Sequence, residues 1–160
     1  MDPTVCREHL TALLSEEAGL LGKLEGLLDR EHEVLKGKDV AALNATALER
    51  QECIGALARL EEQRRSLCRL HGHTPDLPGL EKLMTWCDPS GSLMSRLRLC
   101  ADGAARCRDL NDRNGTLVNA RLKRVEGLLG VLTGRGQPGN TYGPKGGYAS
   151  SRAGRVLGAA

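Results

Sequence analysis

Apolar residues recur at three- and four-residue intervals along most of this chain. Leu10, Leu13/Leu14, Leu20/Leu21, Leu24, Leu27/Leu28 and Val34/Leu35 mark one face of a helix, interrupted by Glu17 and Glu31. Asp2 and Pro3 stand before it as an N-cap and a first-turn proline. Gly37 breaks the pattern, and Asp39 can cap a second helix. Its stripe runs Val40, Leu43, Ala47, Ile54, Leu57, Leu60, Leu67 and Leu70, ending at Gly72. The two predicted helices, about 3–36 and 40–71, are each roughly 45 to 50 Å long. The short link at Gly37-Lys38 predicts that they fold back as an antiparallel hairpin.

The segment from His71 to Gly79 reads as a loop, and a short helix near 80–87 carries Trp86. Asp88-Pro-Ser-Gly91 breaks the chain again, and Ser90 or Ser92 can start a third long helix over 92–132. Its stripe occupies positions 93, 97, 100, 104, 107, 111, 114, 118, 121, 125, 128 and 132, widened by Leu110, Leu117, Leu122 and Leu129. Asn111 and Asn114 put amides on that seam, where a polar residue sets register at some cost in stability. The predicted fold is all-α: an elongated antiparallel three-helix coiled-coil-like bundle over 1–132, followed by a flexible tail over 133–160. Glycines inside the helical patterns, such as Gly103, Gly115 and Gly127, each cost up to about 1 kcal/mol relative to Ala. They reflect either composition alone or a helix kept marginal so that a partner can rearrange it.

Composition supports helices. Aromatics are 2% of 160 residues, with one Trp, two Tyr and no Phe, so the core must be built from Leu, Val and Ala. No apolar run approaches the roughly 20 residues that span a bilayer, and the first residues do not read as a signal peptide, so a cytoplasmic protein is expected. Residues 1–132 carry 19 basic and 20 acidic side chains, while the tail carries Arg135, Lys145, Arg152 and Arg155 with no acid. The balanced body is a solvated helical surface, and four charges spread over the tail would hold nucleic acid only weakly. Six cysteines show no C-x-x-C pair and no zinc spacing, so they predict free thiols that a titration would count as reactive. Cys68, His71 and His73 cluster at a helix end without an evident fourth ligand, which reads as a polar terminus, with no metal and no cofactor. Phosphate-loop, nucleophile-elbow and zinc-protease motifs do not occur, so an enzyme is not expected. The glycine-rich tail places Tyr142 and Tyr148 beside basic residues, the composition of a segment that orders on a partner.

Two short motifs carry a resemblance. Leu110-Asn-Asp-Arg-Asn-Gly-Thr-Leu-Val118, followed about 25 residues later by Thr141-Tyr-Gly-Pro-Lys-Gly146, resembles the FlgN family of bacterial flagellar export chaperones. Those proteins share Leu-Asn-x-x-Asn-Gly in the last long helix, here with Asn111, Asn114 and Gly115, and Tyr-Gly-x-x-Gly in the tail, here with Tyr142 and Gly143. Leu48-Glu-Arg-Gln-Glu52 and Gln63-Arg64-Arg65 are similar to the family as well. The resemblance implies a chaperone of the flagellar type III secretion system. Its clients would be the hook–filament junction proteins FlgK and FlgL, bound through their C-terminal helical segments. It further implies client contact through the end of the third long helix and the tail, and docking to the export gate protein FlhA through Tyr142. Leu117, Val118, Leu122, Val125, Leu128, Leu129 and Leu132 are the candidates for the client contact, or equally for bundle core. The other reading is a structural or adaptor coiled coil, since apolar stripes can close within one chain or between two copies by self-association.

Overall fold

A computed structural model describes residues 2–132, and these are all-α. Four helices follow one another: α1 (Pro3–Lys36), α2 (Val40–Leu70), α3 (Leu77–Cys87) and α4 (Ser92–Leu132). Packing divides the chain into two units, Met1–Val118 and Asn119–Ala160, and α4 runs through the division.

Short side chains start the helices. Asp2 accepts from the Thr4 N–H at 2.8 Å, and Asp39 from the Ala42 N–H at 3.0 Å, each relieving one of the unpaired donors of a first turn. α2 stops at a left-handed glycine, Gly72 (φ 73°). The Gly72 N–H donates to the Arg69 carbonyl and the His73 N–H to the Cys68 carbonyl, the paired bonds of a Schellman ending. α3 begins three residues earlier than its apolar pattern predicts, because Asp76 caps it by accepting from the Gly79 N–H at 2.8 Å. That turn is tight: a Cβ on Gly79 would lie 1.9 Å from the Thr74 carbonyl oxygen, so no larger residue fits without moving the loop. Left-handed Gly91 (φ 77°) turns the chain into α4, and Asp88 accepts from the Leu93 N–H at 2.8 Å in its first turn.

Three helices share one seven-residue rhythm. The buried positions include Leu14, Leu21, Leu28 and Leu35 of α1, Thr46, Cys53, Leu60 and Leu67 of α2, and Leu93, Cys100, Cys107 and Asn114 of α4. The stripe predicted for α2 is therefore rotated: Val40, Ile54 and Leu70 are exposed, while Thr46 and Cys53 point inward. Cys53 earns its place by donating its thiol to the Leu20 carbonyl at 3.3 Å. α3 closes one end of the core with Leu80, Leu83, Met84 and Cys87.

Hydrogen bonds and ion pairs give the directions. Glu17 pairs with Arg64 and Glu31 with Arg50, so α2 runs back along α1. These are the two acids that interrupt the α1 stripe, and each lies against an arginine of α2. Burial pushes the Glu17 carboxyl above its ordinary value, with Arg64 pulling the other way. α4 runs in the same direction as α1. The Cys100 thiol donates to the Leu14 carbonyl (3.5 Å), the Cys107 thiol to Leu21 (3.6 Å) and the Asn114 amide to Leu28 (2.8 Å), a constant offset of 86 residues.

All six cysteines are free, as expected, but all are buried, so the thiols expected to count as reactive are shielded in the folded chain. Burial raises every one of them, and Cys6, with Cys87 and Cys68 beside it, is pushed up to about 12. A thiol that ionises less readily folded than unfolded stabilises the fold fully below its unfolded value near 9 and loses that contribution as pH rises beyond it. A disulfide-exchange reagent at pH 8 should therefore titrate few thiols in the native protein and six in denaturant. Urea midpoints followed by circular dichroism should fall as pH is raised from 8 to 10. A flat profile over that range would contradict the burial of the thiols.

Candidate interaction surface

The histidine cluster does not assemble a centre. Cys68 lies in the core, whereas the His71 ring packs tilted on Trp86 with centroids 5.3 Å apart. Burial lowers the affinity of that ring for a proton. Among the described residues no group of three His, Cys, Asp or Glu converges on one point. A pocket of about 200 Å³ opens beside Cys68, lined by Arg64, Arg65, Asp76 and Leu97. It is smaller than the roughly 300 Å³ at which small-molecule sites begin, and Arg64 is already engaged by Glu17.

The polar residues of the Leu-Asn-x-x-Asn-Gly stretch separate in space. Asn114 is 2% exposed and saturates its amide: Nδ2 donates to the Leu28 carbonyl and, at 3.3 Å, to Glu31 Oε1. Its Oδ1 accepts from Arg113 Nε at 3.4 Å and lies 3.1 Å from His32 Nδ1, which the bond requires to carry the ring proton. Glu31 in turn meets Arg50 at 3.4 Å. Asn111 is not on the seam as predicted; it is exposed and accepts from Arg50 at 3.4 Å. The reason is rotation: Asn114 follows Cys107 by two full turns and keeps its direction, whereas Asn111 falls to one side. Gly115 is exposed, and a Cβ there would meet nothing within 4 Å, so packing does not demand a glycine.

Past this polar layer five of the seven apolar candidates are exposed. Leu117 is half-buried. Val118, Leu122, Val125, Leu128 and Leu129 are between 41 and 59% exposed. Leu132 belongs to α4, but its side chain lies outside the described residues, as do Tyr142 and Gly143. Other exposed apolar side chains, such as Val5, Leu48 and Leu99, are scattered along the chain, which is ordinary for a protein surface. Five within twelve residues of one helix are a denser run than that scatter. α1 has eight residues after Leu28, and α4 has eighteen after Asn114.

A family model described as FlgN protein matches residues 1–150. The chain belongs to the FlgN family. Its members are flagellar export chaperones, a family of binding proteins and not of enzymes, and they bind flagellar export substrates. No curated protein and no solved structure matches the chain. The FlgN match takes in both motifs and the exposed end of α4. Among the described residues no helix is long and apolar enough to cross a membrane.

The contrast between the two asparagines is measurable. Asn114→Ala should lower the unfolding free energy by about 1–3 kcal/mol, because Glu31 and His32 lose a buried partner. Asn111→Ala should change it by no more than about 0.5 kcal/mol, as exposed substitutions usually do. Equal losses in urea unfolding would refute the buried network as described.

Proposed function

We propose that this FlgN-family chain is a cytoplasmic chaperone for the hook–filament junction proteins FlgK and FlgL. It binds their C-terminal helical segments and delivers them to the export apparatus. The observation that carries this reading is the exposed apolar run from Val118 to Leu129 on a helix of an export chaperone. Subunits that polymerise through helical segments expose apolar stripes before assembly, and a second apolar helix face masks such a stripe reversibly. Leu117, Val118, Leu122, Val125, Leu128, Leu129 and Leu132 are the proposed contact. Each large side chain buried there supplies about 1.5–3 kcal/mol, so a few suffice for a working affinity. Export-gate docking falls to Tyr142, with FlhA as the partner. No cofactor or metal enters this reading, because masking a helix is an equilibrium and not a reaction.

Calorimetric titration with the C-terminal segment of FlgK or FlgL tests the client site. The full chain should bind. A chain ending at Gly115 should not, provided circular dichroism shows it folded. Leu122→Ala and Val125→Ala should each weaken binding by roughly tenfold, equivalent to about 1.4 kcal/mol. No binding by the full chain would turn the reading to an adaptor coiled coil. Tyr142→Ala should leave client affinity nearly unchanged while lowering secretion of the junction proteins. Loss of client binding in that variant would show that the two tasks are not separate.

A further inference from the structure

α1 shows what kind of helix α4 accepts. It lays Leu14, Leu21 and Leu28 along the α4 seam and adds an acidic edge beside them. Glu25 accepts from Arg106 at 3.0 Å and Asp29 from Arg113 at 3.0 Å. Those arginines lie seven residues apart on one edge of α4. Arg124 follows Arg113 by eleven residues, three turns of helix, and so shares that edge. Among the described residues Arg124 is in none of the ion pairs, and Lys123 adds another positive charge beside the apolar run.

Charge is divided along the chain in the same sense. Residues 1–118 hold 16 basic and 19 acidic side chains, whereas residues 119–160 hold seven basic and one acidic. A second copy laid on the run through its own α4 end would bring the same basic residues. The chain's own tail, 133–160, brings four basic residues and no acid. Both occupants would place like charges together.

From these charges we infer that the occupant of the Val118–Leu129 face is an amphipathic helix of another protein that carries an acidic edge beside its apolar stripe. This rests on the docking surface proposed above and adds to it the chemistry of the partner. The acidic edge meets Arg124 as Glu25 and Asp29 meet Arg106 and Arg113, and it selects among helices that an apolar stripe alone could not distinguish.

Two synthetic helical peptides with one shared apolar heptad stripe, flanked by Glu in one and by Lys in the other, separate the possibilities. Titrated into the full chain at 50 mM salt, the Glu peptide should bind at least tenfold tighter. That advantage should shrink at 300 mM, where exposed charges are screened. Arg124→Glu, an exposed substitution, should reduce or invert the preference while leaving the circular dichroism spectrum unchanged. Equal binding of both peptides, or preference for the Lys peptide, would overturn the acidic edge and leave the apolar surface standing. Binding of neither peptide by the folded chain would overturn both. Sedimentation of the free chain as a dimer that dissociates in Leu122→Ala would assign the face to a second copy instead.

Discussion

Between α1 and α4, three side chains donate to three carbonyls at a fixed interval, and the rest of the bundle is arranged around that seam. Cys100, Cys107 and Asn114 are short, so the two helices can lie close with the donors satisfied. Gly103 faces the same seam, where a Cβ would make ordinary van der Waals contact with the Leu21 side chain at 3.5 Å. Much larger residues in place of Cys100, Cys107 or Asn114 would push α4 away and leave the leucines of α1 against empty space, a costly exchange in a close-packed interior. The seam also explains how a chain with no Phe builds a core. Leucine supplies the apolar area, and the thiols fill the narrow places where another leucine would not fit.

Asn114 ends the rhythm with a polar residue. A leucine there would prolong the apolar seam but would leave the heptad free to slip by a repeat, whereas an amide bonded to Leu28 and Glu31 holds one alignment. Through Glu31 and Arg50 the same layer reaches α2, so the alignment of three helices is set at one level. The register fixed there sets which residues of the 41-residue α4 face α1.

Much of this was legible along the chain. The aspartate caps are local, since a carboxylate two or three residues from an N–H reaches it in almost any context, and Asp2 and Asp39 act as read. The two Asn-Gly and Tyr-Gly motifs pointed to the family that the match over residues 1–150 shows. The buried face of α2 was not legible. Counting leucines favours Ile54 and Leu70, but Thr46 and Cys53 go inward because they are small and find carbonyls to bond. The missed signal was the seven-residue spacing Thr46, Cys53, Leu60, Leu67, whose first two members score as weakly apolar. Asp76 was missed for a related reason: the apolar pattern of α3 begins at Leu80, while its cap and proline lie upstream.

By itself, then, the sequence determined that the chain is helical, where most helices begin and end, and which family it joins. Caps, glycines and apolar periodicity act over a few residues and need no distant partner. Only the tertiary structure decided which asparagine is buried, that α4 runs parallel to α1, and that the apolar run past Val118 stays exposed. Each of these depends on what lies across from a residue: Asn114 faces a carbonyl of α1 and Asn111 does not, though the two are three residues apart. A stripe of leucines and valines is written identically whether it meets its own core or awaits a partner. The difference lies in what stands across from it.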